Sequence, residues 1–225
     1  MQFNRVLRRF FEGAFISRKM VKLEVAYLGM QCFWGESAWA KNKGVRVTRV
    51  GYAGGESSNP TYQSIGDHTE ITEVTFDPSI ITYREILNFF WTHHNPAVHR
   101  KKQYQSAILY TSPEQKDAAL ETLEATKSKV EDVETYVKPL NVFYEAEAYH
   151  QKYWLRNAHD IFRELKLSDK EVATGVLATK LNAYSAGYQD FSELHELQKE
   201  YNLSDELVQK ITDLAKRGGD PRACH

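Results

Sequence analysis

The sequence predicts a mixed α+β or α/β fold, in which helices pack on a β-sheet and a helical C-terminal extension follows. Strand-like segments alternate with helix-like segments up to about residue 167, which favours layered packing of helices on a sheet. From about residue 168 onward only short helices are predicted. With 225 residues and 42% hydrophobic side chains, the chain is long enough to bury one large core.

Four apolar segments are predicted to be strands because they end at turn signals and are mostly rich in β-branched or aromatic residues. They cover residues 25–28, 45–52, 71–76 and 107–110. The second runs into Gly51-Tyr52-Ala53-Gly54-Gly55, whose glycines permit a turn with positive φ, and the third is followed by Asp77-Pro78. A further strand candidate, residues 142–144, comes after Lys138-Pro139.

Helices are predicted where caps or periodic apolar residues mark them. Thr82 and Glu85 have the capping-box pattern, and Ser112 with Gln115 repeats it, with Pro113 at the first helical position. Further helices are predicted from about residue 33 to 43, from 149 to about 165 and, in the extension, from 205 to 216.

Composition argues against several classes of function. A net charge of -1 and a pI near 6.7 give no electrostatic attraction for nucleic acid. No apolar run approaches the ~20 residues that a membrane-spanning helix needs. Two cysteines cannot form a disulfide framework, which indicates a reducing compartment. We therefore expect no nucleic-acid or membrane partner. We also expect a monomer with no bound cofactor.

Residues 1–22 differ from the rest and are expected to be an N-terminal extension or a targeting segment. Up to residue 20 they combine apolar residues at near-helical spacing with many basic residues and a single acid, Glu12. This pattern is typical of mitochondrial presequences. The basic residues are Arg5, Arg8, Arg9, Arg18 and Lys19. A surface extension is the alternative, so the expected location is cytoplasmic or mitochondrial.

Cys32 is the main candidate for a reactive group. It lies where a predicted strand ends and a predicted helix begins, and the positive end of a helix favours the thiolate. Phe33 and Trp34 beside it offer an apolar surface for a substrate group. A buried structural cysteine is the alternative, because that is the commoner role of a free cysteine.

Groups that could handle protons for such a nucleophile are present but scattered along the chain. A protonated carboxyl in an apolar pocket can donate a proton to an oxygen, and phenol hydroxyls can orient that oxygen. The candidates are the acids Glu36, Glu70 and Glu73 and the hydroxyls of Tyr52, Tyr62 and Tyr104. Their spacing alone does not bring them together.

An ordered set of motifs over roughly residues 23–157 resembles the A-type peptide methionine sulfoxide reductases. The motifs are Cys32-Phe33-Trp34-Gly35, Gly51-Tyr52-Ala53-Gly54-Gly55, Asn59-Pro60-Thr61-Tyr62, His68-Thr69-Glu70 leading to Phe76-Asp77-Pro78, Phe90-Trp91, His94-Asn95-Pro96, Gln103-Tyr104-Gln105-Ser106-Ala107-Ile108 and Tyr149-His150-Gln151-Lys152-Tyr153. The resemblance implies a catalytic domain over residues 23–167 with a ferredoxin-like plait. Residues 168–225 would form a helical extension that ends in a flexible tail carrying Cys224.

The resemblance also implies a reaction, the reduction of the S-epimer of methionine sulfoxide, free or in proteins, as repair of oxidative damage. Cys32 would attack the sulfoxide sulfur and become a sulfenic acid as methionine leaves. Phe33 and Trp34 would enclose the methyl group of the substrate.

The sulfoxide oxygen would be handled by three further residues, again by resemblance. Glu70 would be the protonated carboxyl that activates this oxygen, and Tyr62 and Tyr104 would donate hydrogen bonds to it. The oxygen gains negative charge as the sulfur is attacked, so donors already in place favour the reaction.

Regeneration of the thiol requires a second cysteine or an external thiol. By resemblance, Cys224 would attack the sulfenic acid, and thioredoxin would reduce the resulting disulfide between Cys32 and Cys224 by exchange. An inert, exposed tail residue is the alternative role of Cys224.

Two features depart from the family pattern. Gln31 precedes the nucleophile at a position where the family usually has glycine. Residues 95–102 lack the aspartate of an Asn-Asp-x-Gly element that helps to organise the site in the family. That supporting role is therefore assigned to no residue, and His99 or a basic neighbour is the candidate for part of the space.

Several other conspicuous residues are expected to be structural. His93 and His94, like His99, are interpreted as structural or surface residues because no cysteine or acid lies at metal-ligand spacing. Trp39 and Trp91 are predicted to lie in the core. Glu36 is predicted to be a solvated helix residue.

Two other functions are compatible with a reactive cysteine or an altered site. A thiol peroxidase also needs a reactive cysteine and a resolving one, but it leaves Phe33 and Trp34 without a purpose. A non-catalytic binder of oxidised methionine is conceivable because of the altered segment at residues 95–102. Substrate turnover separates all three.

Overall fold

The computed structural model describes residues 21–30 and 33–218, except for the side chain of Trp34. The sequence-based predictions for residues 1–20, Gln31, Cys32 and the tail with Cys224 lie outside these residues. The described strands are β1 (Glu24–Gly29), β2 (Val45–Ala53), β3 (Thr69–Phe76), β4 (Ala107–Tyr110), β5 (Tyr136–Pro139) and β6 (Tyr144–Glu145).

The helices follow the same chain order. They are α1 (Glu36–Ala40), α2 (Tyr83–Thr92), α3 (Pro113–Lys127), α4 (Tyr153–Asn157), α5 (His159–Leu165), α6 (Asp169–Thr174), α7 (Val176–Ser185), α8 (Leu194–Tyr201) and α9 (Asp205–Arg217). Short 3₁₀ turns cover Phe33–Gly35 and Lys102–Tyr104. Among the residues described, no helix is long and apolar enough to span a membrane.

The sheet has the order β5-β4-β1-β3-β2-β6. Its four central strands, β4-β1-β3-β2, pair with one another in antiparallel fashion, and helices connect β1 to β2 and β3 to β4. This is the βαββαβ arrangement of the ferredoxin-like plait, so the predicted fold class is confirmed. Strand β5 adds a parallel pair at one edge and β6 an antiparallel pair at the other.

Alternate residues of the strands face two different layers. Leu28, Val74 and Phe76 pack with Trp39 and Phe90 against α1, α2 and α3, and Trp91 packs against the same cluster. The opposite face carries a smaller cluster around Ile71 and Leu109, covered by partly buried Tyr136 and Phe143. The two tryptophans therefore lie in or against the core, as predicted.

The predicted caps are present in the structure. Thr82 accepts a hydrogen bond from the backbone N–H of Glu85, and the Glu85 carboxylate accepts one from Thr82 N–H, which completes the capping box of α2. Ser112 caps α3 by accepting from the N–H of Gln115. These local interactions explain why both helices begin where the sequence predicts.

Other boundaries differ from the predictions. The helix expected from residue 149 begins only at Tyr153, because Lys152 has φ 56°, a left-handed conformation that a continuous helix does not contain, and it is divided at Ala158. The helix expected over 33–43 is a 3₁₀ turn followed by the short α1. The strand expected at 142–144 is the two-residue β6, and β5 was not predicted.

The C-terminal helices form a second core and also contact the sheet layer. Leu155, Leu181, Leu197 and Ile211 belong to one buried cluster that joins α4 to the later helices. Helix α7 packs on α1 and β2. The helical extension is therefore present as predicted, while the division of the chain at residues 167/168 stays a prediction.

Candidate active site

Glu70 lies near the start of β3 on the face that the helices cover. It is paired in register with Tyr52 of β2, and because side chains alternate along a strand, it shares its face with Thr72 and Val74. Only 4% of Glu70 is exposed. A carboxyl group is thus placed between two strands at the edge of the core, beside the 3₁₀ turn that begins with Phe33.

Both oxygens of the Glu70 carboxyl accept hydrogen bonds. The backbone N–H of Phe33 donates to Oε2 at 3.2 Å, and Nε2 of Gln103 donates to Oε1 at 2.8 Å. Burial raises the pKa of Glu70 to about 7, although the two hydrogen bonds act in the opposite direction. This carboxyl therefore binds a proton at much higher pH than an ordinary glutamate does.

Phe33 contributes to an aromatic wall beside this carboxyl. Its ring is 3% exposed and packs against Tyr52, with ring centroids 5.7 Å apart, and against His150, at 5.0 Å. The His150 ring also contacts the rings of Tyr62 and Tyr149 at 4.5 and 4.3 Å. Burial lowers the pKa of His150, so its ring is mainly neutral and adds to the apolar surface.

Tyr62 and Tyr104 place two phenol hydroxyls next to each other. Their oxygen atoms lie 3.3 Å apart, at the exposed side of the site. The backbone N–H of Tyr62 donates to Oε1 of Glu147, which anchors the loop that carries it. Tyr104 ends the 3₁₀ turn in which Gln103 contacts Glu70.

These contacts close into a ring. Phe33 contacts Glu70, Glu70 contacts Gln103, and Gln103 is bonded to Tyr104. Tyr104 contacts Tyr62, which contacts His150, which returns to Phe33. The predicted residues Phe33, Glu70, Tyr62 and Tyr104 are thus brought together. Cys32 precedes Phe33 directly but, like Cys224 and the side chain of Trp34, lies outside the described part.

Two of the acids that the sequence offered as candidates lie elsewhere. Glu73 is three residues after Glu70 and therefore on the opposite face of the sheet, where it binds Arg49 at 2.7 Å and accepts from Tyr27 at 2.9 Å. Glu36 is 1% exposed and pairs with the fully buried Lys152 at 2.8 Å. The prediction that Glu36 is solvated was wrong, because its partner lies far away in sequence.

Sequence reasoning missed how three residues take part. Glu147, not considered as a candidate, accepts from the hydroxyl of Tyr52 at 2.6 Å, so Tyr52 is a buried support and not a free donor. Gln103 and His150 belong to the sequence motifs, but the sequence alone assigns no role to either of them. The proximity of Gln103 to Tyr104 was the available signal, since a turn that delivers one side chain to a site also brings its neighbour close.

The segment that departs from the family pattern is held by its own contacts. The His99 side chain is 85% exposed and lies 3.1 Å from Glu134, whereas the described donors to Glu70 are Phe33 and Gln103. Lys102 lies over the ring of Tyr136 at 3.6 Å, and burial lowers its pKa. Gln103 is the side chain that donates to Glu70 here.

The neighbouring histidines serve the fold. His94 is bonded through both ring nitrogens, to Phe90 O and to the Ser106 hydroxyl, each at 2.7 Å, and burial lowers its pKa to about 4. His93 stacks on Phe89 with ring centroids 3.5 Å apart. Within residues 21–30 and 33–218, no group of three His, Cys, Asp or Glu residues is placed to hold a metal ion.

Comparisons with known proteins identify relatives of this chain. The family model described as peptide methionine sulfoxide reductase matches residues 24–180. The peptide methionine sulfoxide reductase of Drosophila melanogaster is 46% identical over 167 residues, which are 72% of this chain and 68% of that protein. Reductase A5 of Oryza sativa subsp. japonica is 34% identical over 210 residues, covering 88% and 78%.

A solved structure agrees with these matches. Methionine sulfoxide reductase A of Corynebacterium diphtheriae superposes with a TM-score of 0.57 at 33% identity, covering 60% of this chain and 75% of that one.

Fold and site together define an α+β enzyme in which a buried carboxyl of raised pKa and two phenols lie near the 3₁₀ turn that begins with Phe33. The matches make this class specific, since they cover most of the chain and the whole of the site. The chain belongs to the peptide methionine sulfoxide reductase family. It is an oxidoreductase that reduces methionine sulfoxide and so takes part in the repair of oxidised methionine.

Proposed function

We propose that the enzyme reduces the S-epimer of methionine sulfoxide, in proteins and as the free amino acid, with Cys32 as nucleophile. The observation that carries this proposal is the buried carboxyl of Glu70, which accepts a hydrogen bond from the residue after Cys32 and whose raised pKa favours the protonated form. A proton donor at this place serves a reaction in which an oxygen becomes basic while a neighbouring thiolate attacks.

The chemical step transfers one oxygen atom. The Cys32 thiolate attacks the sulfoxide sulfur, Glu70 protonates the sulfoxide oxygen, and the sulfur–oxygen bond breaks as the oxygen passes to Cys32. The products are methionine and a Cys32 sulfenic acid, so the substrate sulfur is reduced by two electrons and the cysteine sulfur is oxidised by two. Glu70 recovers its proton from solvent.

The phenols of Tyr62 and Tyr104 hold the sulfoxide oxygen. In the free enzyme the two hydroxyls lie 3.3 Å apart and hydrogen-bond to each other, so both are directed towards the same point. A bound sulfoxide oxygen can accept from both, and this interaction strengthens as charge develops on the oxygen.

The substrate methyl group packs against the aromatic residues Phe33 and Trp34. The described part of this wall, Phe33 with Tyr52 and His150, is apolar because the Tyr52 hydroxyl is directed to Glu147 and the His150 ring is mainly neutral. A chiral sulfur with a thiol, a methyl pocket and oxygen donors around it fits in one configuration. This accounts for selection of one epimer.

Recycling uses the second cysteine and an external reductant. Cys224 attacks the Cys32 sulfenic acid, water leaves, and the disulfide is reduced by thioredoxin through thiol–disulfide exchange. Since the chain has only two cysteines, a longer relay within one chain is impossible.

We further propose that the enzyme acts as a monomer without a bound cofactor, in the cytoplasm or in mitochondria.

The test is an epimer-resolved reductase assay with thioredoxin on the wild type, Cys32→Ser and Cys224→Ser. We expect turnover of one epimer, none with Cys32→Ser, and a single turnover with slow cycling for Cys224→Ser. Unchanged steady-state cycling of Cys224→Ser would reject it as the resolving thiol. Faster turnover of hydrogen peroxide, without preference for an epimer, would favour a thiol peroxidase instead.

A further inference from the structure

Gln103 donates a hydrogen bond to the Glu70 carboxyl from a turn that also carries Tyr104. The chain passes through a 3₁₀ turn at Lys102–Tyr104, and this turn directs the Gln103 amide to Glu70 and the Tyr104 hydroxyl to Tyr62. The bond from Gln103 Nε2 to Glu70 Oε1, at 2.8 Å, is the shorter of the two that described residues donate to the carboxyl. Gln103 is outside the set of residues to which the family resemblance assigned a role.

The two bonds distinguish the two oxygens chemically. A protonated carboxyl has one carbonyl oxygen, which is a good acceptor, and one hydroxyl oxygen, which is a poor acceptor and a donor. A short, side-chain hydrogen bond at Oε1 favours the carbonyl form there. The 3.2 Å contact from Phe33 N–H leaves Oε2 as the oxygen that carries the proton.

We propose that Gln103 is a positioning residue that keeps the acidic proton of Glu70 on Oε2, the oxygen next to Phe33. This inference rests on the proposed role of Glu70 as the acid that protonates the sulfoxide oxygen. Without the Gln103 amide, the carboxyl can rotate and place its proton on either oxygen. Only one of these forms directs the proton to the space beside residue 33, where the substrate oxygen must lie.

The hydrogen bond from Gln103 also affects the pKa of Glu70, in addition to the position of its proton. An N–H donor stabilises the charged carboxylate more than the neutral acid, so it lowers the pKa of Glu70 against the larger effect of burial. Removal of the donor therefore produces more of the protonated acid but in the wrong orientation. The positioning role of Gln103 therefore predicts two changes together: a lower maximal rate, and a shift of the alkaline limb of the pH–rate profile to higher pH.

Among the described residues, several other titratable groups lie on elements near Glu70. They are Tyr52 of β2 with Glu147 hydrogen-bonded to it, His150 against Phe33, Tyr62 and Tyr104, and Lys102 in the turn. Replacement of the Gln103 amide changes none of these groups chemically. The alkaline limb can therefore be compared directly between variants.

The test compares Gln103→Met, which keeps the length of the side chain, with Gln105→Met as matched control. Gln105 follows the same turn, and its amide donates to Glu134 O and not to Glu70. For Gln103→Met we expect kcat to fall roughly 10-fold with little change in KM, and the alkaline limb to move to higher pH. For Gln105→Met the limb should stay where it is in the wild type.

A second variant keeps the test valid if Gln103→Met does not fold. Gln103→Glu has nearly the same shape, and its carboxyl would share a proton with Oε1 of Glu70, which takes the proton from the productive oxygen. We expect a lower kcat with an unchanged melting temperature. Wild-type kcat in both Gln103 variants, or an equal loss in Gln105→Met, would overturn the assignment.

Glu70→Gln separates failure of this inference from failure of the proposed function. If Glu70→Gln keeps the full rate, Glu70 is not the acid and both proposals fall. If Glu70→Gln is nearly inactive while Gln103→Met behaves like the wild type, the acid role of Glu70 stands and only the positioning role of Gln103 is overturned.

Discussion

Replacement of Lys152 by methionine should destabilise the fold strongly, although Lys152 lies outside the ring of site contacts. Its ammonium group is fully buried, 2.8 Å from Oε1 of Glu36, and also donates to Thr48 O at 2.6 Å and Ala173 O at 3.3 Å. In Lys152→Met the Glu36 carboxylate keeps its bonds from the Thr48 hydroxyl and from the backbone N–H of residue 152, at 2.8 and 2.9 Å, but no cation remains beside it. Removal of one partner of a buried pair costs about 3–5 kcal/mol, because a buried charge is left without compensation.

The assay is thermal and urea unfolding followed by circular dichroism. For a chain of this size a loss of about 4 kcal/mol corresponds to a fall of roughly 8–16 °C in melting temperature. The Lys152→Met/Glu36→Gln double variant should be more stable than Lys152→Met alone, since the uncompensated charge is gone. Arg163→Met is the control: its pair with Asp160 at 2.6 Å is exposed to water, so its loss should hardly change the melting temperature. A Lys152→Met variant as stable as Arg163→Met would refute this reasoning.

Three further predictions concern the site, and a fourth concerns the cap of α2. Reductase activity should fall as pH rises through about 7, because the pKa of Glu70 is raised to about 7 and the active form is the protonated one; a pH profile of kcat/KM that is flat across this range would contradict it. Because the pKa of Glu70 is about 7 in the folded protein and 4.5 ordinarily, the protein loses stability as pH rises from 4.5 to about 7. Glu70→Gln should therefore have a higher melting temperature than the wild type at alkaline pH and not at acid pH. Tyr62→Phe and Tyr104→Phe should each lower kcat roughly 10-fold or more with a smaller effect on KM, measured by steady-state kinetics; a change in KM alone would assign the phenols to ground-state binding. Thr82→Ala should cost about 1 kcal/mol in urea unfolding through loss of the cap of α2, whereas an unchanged midpoint would show that the capping box contributes nothing.

Local patterns were sufficient for the elements that depend on local interactions. The caps at Thr82 and Ser112 and the apolar runs of β1 to β4 are properties of adjacent residues, and these elements lie where the sequence predicts. Strand β5 was missed because its residues are half-buried or exposed and end at Pro139, so nothing in the segment marks a strand. It exists because β4 offers it an edge for parallel pairing.

The candidate site was predictable in part for the same reason. Side-chain alternation separates Glu70 from Glu73, since residues three apart on a strand face opposite sides. That argument was available from the sequence and excludes Glu73. The bond from Gln103 to Glu70 was not available, because it joins a turn to a strand 33 residues away, and only folding brings the two together.

Helix α1, which follows the 3₁₀ turn of Phe33–Gly35, is positioned by buried cations from distant parts of the chain. Helix α1 has five residues, too few to be stable without tertiary contacts. Lys152 pairs with Glu36, the first residue of α1. At the end of α1, Lys180 of α7 donates to the carbonyls of Ala40 and Asn42, at 3.1 and 3.3 Å. A lysine close to the carbonyls that a helix leaves unpaired supplies donors where the helix dipole is negative. Helix α7 of the extension thus stabilises the end of α1, the helix that directly follows the 3₁₀ turn in which Phe33 donates to Glu70.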